Sequence, residues 1–99
     1  MRKLRKTSRA ELDLLDIYLH QLAYGMDAAE RALETIEKRC RILERHPYGG
    51  EACPPGYGAG LRWLPAGNWV IFYSVQPDAV SIVRVLDGRR DLPRVFWQE

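Results

Sequence analysis

Two apolar rhythms divide the chain. Between Ser8 and His46 apolar residues recur at spacings of three and four, the period of a helix that buries one face. Leu12, Leu15, Leu19 and Leu22 make one stripe; Ala29, Ala32, Leu33, Ile36, Cys40 and Leu43 make a second. Ser8-Arg9-Ala10-Glu11 reads as a capping box, the Ser8 hydroxyl and the Glu11 carboxylate each satisfying a backbone N–H. Gly25 stops the first helix, because glycine takes a left-handed conformation without steric cost. Asp27 and Glu30 open the second helix in the same manner, and Pro47 ends it by pushing His46 out of the α region. On its polar face Glu34 and Lys38, and Glu37 and Arg41, are favourable i,i+4 pairs. The turn between the helices is short, which predicts an antiparallel hairpin. A short extended segment, Leu4 to Thr7, precedes it.

Tyr48 to Gly60 is rich in glycine and proline and has no period, so it reads as a mobile loop. No Lys-Ser/Thr follows its glycines into a helix, which excludes a phosphate-binding loop. From Leu61 the period becomes two. Leu61 to Leu64, Trp69 to Val75 and Val80 to Leu86 read as strands, separated by the turn residues Pro65 to Asn68 and Gln76 to Ala79. Turns this short force antiparallel neighbours. Asp87-Gly88 breaks the last strand, and Arg89 to Glu99 is a tail in which Pro93 prevents a long helix. The expected architecture is therefore α+β, in the order β-α-α-β-β-β, with the helical hairpin packed on an antiparallel sheet. The middle strand is apolar on both faces, Trp69, Ile71, Tyr73 and Val75 on one and Val70 and Phe72 on the other. Helices cover one face; the tail, a loop or another protein must cover the second.

Composition narrows the function classes. Ninety-nine residues are expected to form one domain, 1–99, since two cores would leave neither half large enough. The 46% hydrophobic and 28% charged content is that of a folded domain. No apolar run approaches the ~20 residues of a membrane span, and the basic N-terminus has no apolar run behind it as a signal peptide would. A cytoplasmic protein is expected. Cys40 and Cys53 read as reduced thiols, and with His20 and His46 they form no metal-ligand spacing, so neither metal nor cofactor is expected. A net charge of +2 does not by itself imply nucleic-acid binding. The cations cluster, however, in Arg2, Lys3, Arg5, Lys6 and Arg9 and again in Arg84, Arg89, Arg90 and Arg94, and each group faces either an acidic partner or solvent.

Four segments in register resemble a known family. Gly60 to Tyr73, with its "GLR" strand, "G-N-aromatic" turn and "IFY" strand, resembles the ParE pattern. Arg84-Val85-Leu86-Asp87-Gly88-Arg89-Arg90-Asp91 is similar to the family's "RVLHGRRD", with Asp87 where histidine is frequent. Ala10, Asp13, Leu14 and Ile17 fit its first helix, and His46 to Gly50 fits the "hP-x-x-G" close of the hairpin. The resemblance to the ParE/RelE toxins covers nearly the whole chain. It implies the toxin of a type II toxin–antitoxin system, of the kind tied to plasmid stabilisation and growth arrest. A cognate antitoxin, folding as it binds, would neutralise it in a hetero-oligomer. Trp63, Trp69, Ile71 and Tyr73 are the residues expected to meet that antitoxin.

Two activities exist among such proteins. RelE-type members cut messenger RNA on the ribosome, which requires cations and an acid/base pair. Their middle-strand arginine matches Val70 here, and their tail tyrosine matches Phe96, which has no hydroxyl. No lysine lies between Tyr48 and Gly60. Arg62, Arg84 and Arg90 remain as the candidate cations of a ribonuclease, but arginine is a poor general base. ParE-type members poison DNA gyrase by binding and perform no chemistry of their own. The expectation is thus a gyrase inhibitor that is not an enzyme and meets nucleic acid only through gyrase or its antitoxin. Arg84, Arg89, Arg90, Arg94, Phe96 and Trp97 are its expected target surface, or in part the core and a local salt bridge from Asp91 to Arg89 or Arg90. The alternatives are a ribosome-dependent endoribonuclease and a non-toxic relative surviving in an autorepressor complex.

Overall fold

A computed structural model describes residues 1–97, so the end of the expected tail, Gln98 and Glu99, lies outside the described residues. The chain runs β1 (Lys3–Lys6), α1 (Ser8–Gln21), a 3-10 turn (Leu22–Tyr24), α2 (Met26–Arg45), β2 (Glu51–Ala52), β3 (Leu61–Ala66), β4 (Trp69–Val75), β5 (Ala79–Asp87) and α3 (Leu92–Phe96). The strands form one sheet in the order β1-β5-β4-β3-β2. The α+β hairpin-on-sheet architecture is present, with one correction. The sheet is mixed, because β1 pairs parallel to β5 from Lys3↔Ala79 to Lys6↔Ile82.

The helix ends also differ from expectation. Thr7, not Ser8, caps α1: its Oγ1 accepts the Ala10 N–H at 3.1 Å and donates to the Val83 carbonyl at 3.0 Å. One hydroxyl therefore starts the helix, the role expected of the Ser8–Glu11 box, and also seals the end of the β1–β5 ladder. At α2 no side chain caps the start; Gly25, at φ 102°, turns the chain straight from the 3-10 turn into the helix, so Asp27 lies inside it. The Glu34–Lys38 and Glu37–Arg41 pairs form, at 3.0 and 3.3 Å.

β3 continues through Pro65 and Ala66, residues expected to turn. Proline is tolerated there because β2 covers only Arg62 and Trp63, leaving Pro65 on an open edge where no N–H is needed. The hairpin is a two-residue turn, Gly67-Asn68, with glycine at φ 61° in its first position.

The inner face of the sheet packs Leu64, Ala66, Ile71, Tyr73, Val80, Ile82 and Val85 against Ala10 of α1 and Ile36, Cys40 and Leu43 of α2. The second face is covered by the chain itself. Phe72 and Leu86 are buried under Phe96 of α3, with Tyr57 and Trp63 packed around them. Tyr57 lies 5.1 Å from Phe72 and 5.2 Å from Phe96, and the Trp97 indole N–H donates to the Gly56 carbonyl at 2.7 Å. The loop expected to be mobile is thus anchored by these contacts to the sheet and to α3, and the apolar second face supplies no argument for a partner.

The expected leucine stripe of α1 faces outward. Ala10 and Asp13 are its buried residues, with Leu14 and Ile17 packed beside them, while Leu12, Leu15 and Leu19 are 54, 53 and 56% exposed.

Candidate functional site

The C-terminal half of β5 positions the cationic cluster. β1 stops opposite Ile82, so beyond that point β5 has no strand on its outer edge. Asp13 of α1 takes the place of one, its Oδ2 accepting the Val85 backbone N–H at 3.0 Å. The β4–β5 register slips between Phe72 and Tyr73, which places Arg84 opposite Phe72 and Ile82 opposite Tyr73. Val83 is the extra residue of this bulge, and it turns Arg84 toward α3. The Arg84 guanidinium then joins three elements. It donates to Asp13 through Nε at 2.8 Å and Nη2 at 3.0 Å, and to the Phe96 carbonyl through Nη1 at 2.6 Å.

Arg84 is only 5% exposed, so the expectation that it touches a target is corrected: it holds the surface together from beneath. Phe96 is corrected for the same reason, being 8% exposed in the aromatic cluster. Arg89, Arg90, Arg94 and Trp97 do reach solvent. Arg89 forks onto Asp87 through Nε at 3.1 Å and Nη2 at 2.9 Å, and its backbone N–H also donates to that carboxylate. These bonds hold the Asp87 carboxyl below its ordinary range. The local salt bridge of this turn is therefore Asp87–Arg89; Asp91 instead stands before α3, its carbonyl accepting the Val95 N–H.

Arg84, Arg89 and Arg90 line one depression of about 500 Å³ between α1 and the end of β5. Arg9, Asp16, His20, Tyr24 and Trp69 line it too. Spacing along the chain could not reveal this group, because α1 meets β5 only after folding and the leucine stripe marks the opposite arc of α1 as the apolar one. Arg94 and Trp97 lie outside the depression, on and just after α3.

Arg62, the third cation of the ribonuclease alternative, is elsewhere. It donates to the Gly50 carbonyl at 2.5 Å, lies 5.2 Å from the Tyr48 ring centre and lines a separate depression with Cys53 and Tyr57. The set Arg62, Arg84 and Arg90 is therefore not brought together, and Arg84 is tied to a carboxylate. The four residues expected to meet an antitoxin divide likewise. Ile71 and Tyr73 are 0% exposed beneath the helices, which corrects the expectation that they meet an antitoxin. Trp63 and Trp69 are half-buried on opposite faces. Tyr73 instead braces the start of the loop, where its hydroxyl accepts the Gly50 N–H at 2.9 Å. A side chain at Gly50 would strike the Trp63 carbonyl, so glycine lets the chain pass there. Among the described residues no group of three His, Cys, Asp or Glu side chains gathers as metal donors, and no helix is long and apolar enough to cross a membrane.

The family model of the ParE toxin of type II toxin–antitoxin systems matches residues 4–92, from β1 to the start of α3. The chain belongs to the ParE toxin family. Among solved structures, the chromosomal ParDE toxin–antitoxin system from P. aeruginosa is similar at 24% identity and TM-score 0.76, over 88% of this chain and 96% of that one. The RelBE2 toxin–antitoxin complex from Mycobacterium tuberculosis is similar at 18% identity and TM-score 0.55, over 87% of this chain and 96% of that one. A point variant of YafQ from E. coli is similar at 11% identity and TM-score 0.56, over 99% and 100%. At these identities the likeness is one of fold. No curated protein matches the chain. The ParE match includes Arg84, Asp87, Arg89 and Arg90, whereas Arg94, Phe96 and Trp97 fall beyond its last matched residue.

Proposed function

We propose that this ParE-family toxin arrests growth by binding DNA gyrase, without chemistry of its own, and that a cognate antitoxin neutralises it. The observation that carries this reading is the engagement of two carboxylates, Asp13 and Asp87, at the end of β5 that bears the exposed arginines. Asp13 is committed to Arg84 and the Val85 N–H, and Asp87 to Arg89, which holds its carboxyl low. A carboxyl held low, as that of Asp87 is, makes a poor proton shuttle near neutral pH, whereas Arg89, which it fixes at the surface, keeps a rigid geometry suited to gripping a partner. Arg89, Arg90, Arg94 and Trp97 belong to the residue types that dominate protein interfaces. Phe96, at the place of the ribonuclease tyrosine, is buried and has no hydroxyl to exchange.

Induced expression should stop growth and leave gyrase-linked DNA breaks, and co-expression of the antitoxin from the adjacent reading frame should relieve both. Purified protein should block supercoiling by the host's own gyrase, and Arg90→Glu or Trp97→Ala should weaken the block by about tenfold or more. Undisturbed supercoiling, together with codon-positioned cuts in translated messages, would transfer the protein to the ribonucleases.

A further inference from the structure

The second depression, beside Arg62, lies apart from the arginine-bearing end of β5 and shares no residue with the first. It encloses about 400 Å³, with Tyr48, Cys53, Pro55, Tyr57 and Leu61 among its walls. The Arg62 guanidinium is held through one nitrogen only. Nη2 donates to the Gly50 carbonyl, and to that of Tyr48 at 3.5 Å. The Nε–H is buried and finds no acceptor among the described residues. Buried donors are almost always paired, so one left open on a charged group calls for a partner from outside the chain.

The charge of Arg62 is unmatched as well. In the first depression Asp13, Asp16 and Asp87 stand among the arginines, but no described Asp or Glu lines the second. Burial pushes the Cys53 thiol and the Tyr57 phenol up, so both stay neutral and leave the cation unbalanced. A guanidinium with free N–H donors and neutral surroundings is the setting for an oxyanion, and its planar fork matches phosphate. The walls say what the anion carries. Tyr48 stacks on the guanidinium, its ring centre 5.2 Å from Cζ, and is itself 63% exposed. With Pro55 and Leu61 it offers apolar surface to a flat ring, which a bare phosphate would leave unused. The volume suits one small molecule.

We propose that this depression binds a nucleoside monophosphate, whose phosphate accepts the Arg62 Nε–H and whose base lies against Tyr48. No bond is made or broken there. The site depends on neither the gyrase reading nor the antitoxin reading.

The probes are adenosine monophosphate, adenosine and inorganic phosphate, titrated into the isotope-labelled full chain and followed by NMR. The Arg62 Nε–H resonance, identified by its absence in Arg62→Lys, should move downfield with the nucleotide, at a dissociation constant below about 1 mM. Adenosine and inorganic phosphate should each bind at least about tenfold more weakly, since each makes half of the contacts. Tyr48→Ala changes an exposed ring and should keep the far-ultraviolet circular dichroism, while lowering the nucleotide to the level of inorganic phosphate. Arg62→Lys keeps the charge but loses the fork, and should weaken the nucleotide about tenfold or more. Should the lysine variant not fold, the wild-type titrations and Tyr48→Ala decide the matter. Equal binding of the nucleotide and inorganic phosphate would mean an adventitious ion only and overturns the proposal. A stationary Nε–H resonance during saturation overturns it too, by placing the ligand elsewhere. So does undiminished nucleotide binding in Tyr48→Ala. A short RNA with a terminal phosphate that binds more than about tenfold tighter than the mononucleotide would make this a nucleic-acid site instead.

Discussion

Replacing Asp13 by asparagine tests how the end of β5 is held. The Asp13 and Arg84 side chains are 8% and 5% exposed, so the substitution removes the carboxylate charge from a buried ion pair. Removing one partner of a buried pair costs about 3–5 kcal/mol. A domain of this length has roughly 5–15 kcal/mol in all. With about 4–8 °C per kcal/mol at this size, the thermal midpoint should fall by about 12 °C or more. The double change Asp13→Leu with Arg84→Met removes both charges. It leaves the Val85 N–H and the Phe96 carbonyl short of partners, at a cost of about 1–3 kcal/mol for each group that stays buried. It should therefore be less damaging than the sum of the two single changes. Urea unfolding followed by tryptophan fluorescence and circular dichroism gives all four corners of the cycle. A loss below about 1 kcal/mol for Asp13→Asn is the behaviour of an exposed ion pair and would refute the reasoning. So would strict additivity of the two single changes.

Three further outcomes follow from the geometry. Tyr73→Phe strands the buried Gly50 N–H and should cost about 1–3 kcal/mol in the same unfolding assay, while an unchanged midpoint in urea would mean that water replaces the hydroxyl. Asp87 is held low in the fold chiefly by the Arg89 side-chain hydrogen bonds, so the stability it adds is present above the ordinary carboxylate range and is lost as pH falls through the lowered value. Carboxyl-carbon NMR should show the Asp87 midpoint rising toward normal in Arg89→Ala; no movement would sever the two residues. Burial, aided by Glu37, pushes the Cys40 thiol up to about 11, so a disulfide reagent at mildly alkaline pH should label Cys53 in the native protein and Cys40 only after unfolding. Equal labelling rates for the two thiols would contradict that burial.

Features set by local rules were legible along the chain. The strand period from Leu61 onward, the stop at His46 and the i,i+4 pairs of α2 depend on neighbours a few residues apart, and the structure reproduces them, while the turn expected over Pro65 to Asn68 shrinks to its last two residues. Features decided by distant contacts were not. Hydrophobic periodicity points the wrong way in α1, because its inward arc includes an alanine and an aspartate while its outward arc is leucine. The buried aspartate has its reason 71 residues away, in Arg84. Arg89, Arg90 and Arg94 were identifiable as surface residues by type, whereas Trp97 could equally have been core. The place of Arg84 was not legible, because the bulge at Val83 decides which way it points. Ile71 and Tyr73 were correctly grouped on one face, but only the packing of α1 and α2 says that this face is closed.

The parallel pairing of β1 with β5 has a bearing on when the protein comes into being. Lys3 finds its place only beside Ala79, so the earliest strand of the sheet to be synthesised waits for the latest. The helical hairpin is complete well before then, yet most of the sheet it packs on has not been made. Closing so long a loop before any sheet contact rewards it slows folding. The arginine-bearing end of β5 also remains unsupported until Asp13 reaches it from the other half of the chain. During synthesis there is thus an interval in which both strands of the helical hairpin's future sheet edge are apart, and the arginine-bearing surface takes shape only when the two halves of the chain meet.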